Sequence, residues 1–277
     1  MGRGKTAAAM LALAVSLFSA TVAYGAEESA AEPRFVRIVK EAKAPEKLYG
    51  EYIPVLMYHH FTKEEPAYGD GMVVSVEELE EHLKVFKAEG YRCITLEQLN
   101  VLMRSAEYNH SLQGKGLGLE GKYICITMDD GYYSNYKLAY PLFKKYQMPA
   151  SVFAVTDFVT EQYGMQKFTW KQAQEMDKAG WLRVYSHSAD HIPVEAGQEE
   201  DFLTCMQKSE TALQENLKQT RVKAMAYPNG VYTEKSQELL QAEGYELQFT
   251  VDHGIVTKVT DRNAIPRITV ASGMTGE

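Results

Sequence analysis

From residue 52 onward, short apolar runs of strand length alternate with longer stretches whose apolar residues recur every three or four positions. No other feature restricts the fold as strongly. Alternating strands and helices are accommodated by a parallel sheet whose crossover connections are the helices themselves. Strand-like runs occur at 53–58, 92–96, 123–128, 151–155, 181–185, 222–227, 247–251 and 265–270. Helical stretches fall at 96–103, 135–146, 169–179, 199–218 and 234–243. A further helix starts after Ser75, where Glu78 completes a capping-box pattern, Val76, Leu79, Leu83 and Phe86 form one apolar face, and Gly90 ends it. The glycine-rich stretch 114–121 reads as a loop. At least seven strand–helix units predict an α/β chain folded as a (β/α) barrel with about seven parallel strands, rather than an open doubly wound sheet.

The start of the chain is of different character. Arg3 and Lys5 precede a nearly unbroken apolar run over 7–22, and small residues follow at Ala23, Gly25 and Ala26. That layout predicts a secretory signal peptide over 1–26, with an uncleaved anchor as the alternative; the run is short for a membrane span. Residues 27–50, rich in Ala, Glu, Lys and Pro, read as a linker, and 51–277 as the domain. The expected location is therefore outside the cytoplasm, as a monomer without a membrane span once the signal is removed. A net charge of −8 with no basic tract argues against nucleic acid as a partner. The three cysteines Cys93, Cys125 and Cys205 have no pairing spacing. The first two sit in apolar runs, where a thiol behaves as a small buried hydrophobe.

Four polar clusters follow predicted strands: Tyr58-His59-His60, Thr127 to Gly131 (TMDDG), Ser186 to His191 (SHSADH) and Ala226 to Gly230 (AYPNG). In a parallel barrel every strand delivers its next residues to one mouth, so four clusters in that position predict a single site. Adjacent strand residues point to opposite sides. One carboxylate of Asp129-Asp130 can thus bind a metal while the other faces water, although Asp-Gly is also ordinary turn chemistry. His187 and His191, four apart, can share one metal ion, whereas structural or solvated histidines are the plainer reading of such spacing. Two imidazoles and a carboxylate with open positions form a catalytic ligand set for zinc or a similar divalent metal.

TMDDG at 127–131, HSADH at 187–191 and YPNG at 227–230 resemble the motifs of the polysaccharide deacetylases, the NodB-homology group of carbohydrate esterase family four. The resemblance runs from about residue 52 to 270. VLMYHH at 55–60 and PRITV at 266–270 are similar to the branch that deacetylates poly-N-acetylglucosamine. It implies a distorted barrel and a hydrolase that removes N-acetyl groups from an N-acetylglucosamine-containing polysaccharide, releasing acetate. Asp130, His187 and His191 would hold the metal, zinc by expectation, with cobalt or nickel as substitutes. Asp129 would be the general base, His59 the general acid with His60 beside it as a lesser substitute, and Ser188 a hydroxyl that holds its loop.

Two positions depart from the family pattern. Ala226 stands where an arginine normally orients the base, and Asn229 where a tyrosine is usual. Arg267, on the last predicted strand, is the expected replacement for the arginine. The Asn229 backbone N–H can still serve the oxyanion. Tyr132, Tyr133 and Trp170 are candidates to stack on sugar rings, against the plainer expectation that each packs between helix and strand. An O-acetyl esterase acting on xylan or another glycan, and a catalytically silent glycan-binding protein, are the competing functional readings.

Overall fold

Alternation within each strand is satisfied by rolling the sheet into a closed ring, with one set of side chains inside and the other under the helices. The computed structural model describes residues 52–67, 69–111, 121–161, 164–218 and 221–274. The predicted signal peptide, the linker and 114–120 of the glycine-rich loop lie outside the described residues. In chain order the elements begin β1 (Tyr52–Ile53), β2 (Val55–Tyr58), β3 (His60–Thr62), β4 (Val73–Ser75), α1 (Val76–Ala88), β5 (Arg92–Ile94) and α2 (Leu96–Ser111). Next come β6 (Tyr123–Met128), a π-helical turn (Asn135–Ala139), α3 (Tyr140–Tyr146), β7 (Ala150–Ala154), α4 (Trp170–Ala179), β8 (Leu182–Ser186) and α5 (Glu199–Leu217). The last are β9 (Lys223–Ala226), a 3₁₀ turn (Pro228–Gly230), α6 (Glu234–Ala242), β10 (Tyr245–His253), β11 (Val256–Thr257) and β12 (Ile265–Thr269).

Seven strands form the ring in the order β2–β12–β10–β9–β8–β7–β6, closed by pairing of β6 with β2, and all these pairs are parallel. β5 pairs with the start of β6 outside that closure. Val55, Cys125, Phe153, Tyr185, Leu247, Phe249 and Ile265 belong to one buried cluster, joined by Leu96, Leu99 and Met103 of α2. Leu56, Ile124, Ile126, Val152 and Val184 belong to a second cluster, with Leu79, Leu83 and Phe86 of α1, Phe143 of α3, and Ala173 and Met176 of α4. The two sets have opposite parity along β2, β6, β7 and β8, as two-sided burial of a barrel strand requires.

The differences from the sequence expectation have local causes. The 53–58 run breaks at Pro54, which has no N–H to give a ladder. Tyr52 and Ile53 instead pair antiparallel with Thr257 and Val256. The 92–96 strand ends at Ile94 because Thr95 caps α2: its hydroxyl accepts from the Gln98 N–H, and the Gln98 side chain accepts from the Thr95 N–H. α2 runs to Ser111, past the expected end at 103. The helix expected over 135–146 begins as a π turn in which the Tyr140 N–H reaches the Asn135 carbonyl. Pro141, next in sequence, cannot donate to the turn before it.

His82 of α1 is buried, and its Nδ1 lies 2.9 Å from the Tyr58 hydroxyl. Burial draws its pKa down from 6.5 to about 4. The unfolded chain therefore takes up a proton first as the solution is acidified. The neutral-histidine contribution to stability is complete above pH 6.5 and is lost as pH falls toward about 4, roughly 3 kcal/mol in all. Denaturant midpoints measured across that window should fall steeply in the wild type and less steeply in His82→Gln, which keeps a hydrogen-bonding side chain that does not titrate. Equal slopes would remove His82 from the account.

Candidate metal and catalytic site

Three barrel strands deliver the cluster. Asp130 follows β6, and His187 and His191 follow β8. The Asp130 carboxylate oxygen Oδ1 lies 3.5 Å from His187 Nε2 and 3.4 Å from His191 Nε2. One ligand atom from each residue falls within 4.8 Å of the others. The third strand, β9, acts through its backbone: His187 Nδ1 is 2.7 Å from the Ala226 carbonyl oxygen. That oxygen only accepts, so Nδ1 carries the proton and the neutral ring turns the lone pair of Nε2 toward Asp130. Burial lowers the His187 pKa, which favours this neutral form.

Two acceptors, an imidazole lone pair and a carboxylate oxygen, thus face each other at 3.5 Å. A cation between them resolves the conflict. Donors about 2.0–2.2 Å from a tetrahedral zinc ion stand about 3.3 Å apart, so the residues present fit such an ion. Strain marks the same place. Asp130, Ser188 and His191 adopt φ of 70°, 66° and 63°, a left-handed region that non-glycine residues seldom occupy. Ser188 stabilises its loop by accepting from the His191 N–H at 3.0 Å. Gly131 follows at φ 72°, where an added Cβ would stand 3.2 Å from the Ala154 Cβ.

Asp129 points the other way. Cys125, Thr127 and Asp129 share parity on β6, and Ile265 and Arg267 share parity on β12, so Asp129 and Arg267 meet at the head of the barrel interior. The guanidinium holds the carboxylate with two bonds of 2.7 Å. It also donates to the Thr250 carbonyl at 2.8 Å and to the Thr127 hydroxyl at 3.2 Å. Arg267 is fully buried. Burial alone would raise the Asp129 pKa; the Arg267 charge and the Arg267 hydrogen bonds outweigh it and hold the group at about 2. Asp129 is ionised at any physiological pH.

His59 is half-buried, and its Nδ1 has no hydrogen-bond partner among the described residues. Burial lowers its pKa, against the opposing pull of Asp129 and Asp130. His60 is engaged elsewhere: its Nδ1 lies 3.0 Å from the Ser134 hydroxyl, and its ring meets Tyr132 edge-on at 5.2 Å. Tyr132 lines a pocket with Asp130 and His191. Tyr133 and Trp170 lie outside that lining: Tyr133 sits 6.2 Å from the Tyr136 ring, and Trp170 packs on the outer core. Asn229 is exposed in the Pro228–Gly230 turn at φ 53°. Sequence reasoning missed Lys167, whose Nζ lies 3.5 Å from the centre of the Tyr132 ring in the same pocket. It belongs to no motif and no strand-end cluster, so nothing in the pattern singled it out.

The fold is a closed parallel (β/α) barrel, and its clustered polar residues lie on the loops after β2, β6, β8 and β9 and on β12. Residues 117–248 match the family model described as polysaccharide deacetylase. The deacetylase PplD of Streptococcus pyogenes, solved in complex with acetate, is 27% identical with a TM-score of 0.67 over 80% of this chain and 93% of that one. IcaB of Ammonifex degensii is 26% identical with a TM-score of 0.68 over 80% of this chain and 92% of that one. A poly-β-1,6-N-acetyl-D-glucosamine N-deacetylase of Staphylococcus epidermidis is 30% identical over 159 residues, 54% of this chain and 55% of that protein. Over residues 117–248 the chain is thus similar to the polysaccharide deacetylases.

Proposed function

We propose that the chain removes N-acetyl groups from an N-acetylglucosamine-containing polysaccharide, using a divalent cation held by Asp130, His187 and His191, zinc in the first instance. The observation that carries this reading is the three-donor cluster set beside a carboxylate that Arg267 keeps ionised. The substrate class is supported by the name of the Staphylococcus epidermidis relative. When bound, the cation would polarise the acetyl carbonyl and lower the pKa of a water.

The chain's own residues account for the proton movements. Asp129, ionised and oriented by Arg267, accepts the proton of the attacking water. The Asn229 N–H, presented by a left-handed turn residue, is the donor for the tetrahedral oxyanion. His59, with a ring nitrogen unpartnered, supplies the proton to the departing amine as acetate leaves. Tyr132 is the aromatic face best placed to meet a sugar, since it lines the pocket that Asp130 and His191 share. Among the described residues no helix is long and apolar enough to cross a membrane. The charged start, apolar run and small residues of 1–26 support export by a cleaved signal.

Acetate release from β-1,6-linked N-acetylglucosamine oligomers and from acetylxylan tests the reading. Release from the first and little from the second is expected. The reverse would move the chain to the O-acetyl esterases, and glycan binding without any release would make it a binding protein.

A further inference from the structure

Among the described residues, Lys167 stands in the pocket without a salt bridge. That pocket opens beside Asp130 and His191 with a volume of about 330 Å³, and Val155 and Phe158 contribute apolar lining. The segment carrying Lys167 is fixed by a bridge to Tyr132 and by its backbone N–H on the Glu161 carbonyl. Its half-buried side chain lays the ammonium over the Tyr132 ring. Asp130 and Glu161 act on that ammonium through space, without a hydrogen bond. Asp130 is committed to the donor cluster, and Glu161 is exposed to solvent. Burial draws the Lys167 pKa down to about 8, so the group is poorly solvated yet charged at neutral pH. An ammonium kept from water and seated on an aromatic face gains from any anion brought to it.

We propose that Lys167, seated on Tyr132, is an anion subsite that takes the carboxylate of an acidic sugar adjoining the N-acetylated sugar to be hydrolysed. A single ammonium matches a monoanion; it lacks the planar fork with which arginine grips a phosphate. The Glu161 carboxylate on the same pocket opposes a more highly charged group. The inference rests on the deacetylase reading for its chemistry but not for its binding step.

The test compares two tetrasaccharides, one of N-acetylglucosamine alone and one alternating N-acetylglucosamine with glucuronic acid. Binding is measured by calorimetry to zinc-loaded His59→Ala protein carrying Lys167, Lys167→Met or Lys167→Arg. Acetate release is measured in the His59 background. The acidic tetramer should bind the Lys167 protein about tenfold tighter than the Met variant, with most of that restored by Arg and with the difference shrinking as salt rises. The neutral tetramer should lose less. Equal losses on both tetramers would overturn the proposal, as would an effect confined to inhibition by added acetate. If wild-type protein released no acetate from either tetramer, the deacetylase reading would fail while the binding comparison still decided the subsite.

Discussion

Arg267→Met is expected to destabilise the fold by about 3–5 kcal/mol, because it strands the Asp129 carboxylate without its partner in the interior. Acetate release should fall together with stability, by roughly 10²–10⁴-fold, since the base loses both its orientation and the charge that keeps it ionised. The wild-type pair also has a pH signature. The Asp129 pKa is held below the ordinary 3.8, at about 2. The stability it contributes is complete above pH 3.8 and is lost as pH falls toward 2. A double variant, Asp129→Leu with Arg267→Met, removes both charges. Its denaturation midpoint should recover most of the loss while acetate release stays absent. If the single and double variants were equally unstable, the pair would be ordinary core packing.

His187→Ala has the second large effect. The substitution removes one of three donors and also leaves the Ala226 carbonyl without the N–H it accepts. Metal should be lost on dialysis and acetate release should drop by roughly 10³-fold or more. The fold should persist, because the alanine keeps the backbone N–H bond to the Ala154 carbonyl and only one side-chain hydrogen bond is lost. Ser188→Ala is a milder companion: it frees the His191 N–H, so metal affinity should fall by about 10–100-fold without abolishing activity. Metal content by elemental analysis, taken beside circular dichroism, separates these outcomes from unfolding.

The Asp129–Arg267 pairing shows how far a sequence can be read. Strand parity follows from spacing alone. Thr127 and Asp129 share one face, Ile265 and Arg267 share another, and a closed parallel sheet turns both faces inward. The missing arginine before Pro228 made a replacement necessary, and Arg267 was the basic residue on a predicted strand. Closure of the ring was a different matter. It depends on β6 meeting β2 across more than sixty residues, which no local pattern encodes. The left-handed backbone at Asp130, Ser188 and His191 was equally silent, since none of these is the glycine that such a φ usually advertises. Pro54 and Pro141 were legible as breakers, but not what each break would produce, an antiparallel pair with β11 in one case and a π turn in the other. Lys167 was illegible because its significance lies in the company of Tyr132, 35 positions away in sequence.

The central claim is that Asp130, His187 and His191 hold a cation that deacetylation requires. Its most direct test is acetate release from β-1,6-linked N-acetylglucosamine oligomers by protein stripped with chelator and then titrated with zinc, with bound metal counted in the same samples. The account predicts no release from the stripped protein, recovery that saturates at one zinc per chain, and no recovery in His187→Ala. Full release by metal-free protein, or by His187→Ala with no metal bound, would contradict it.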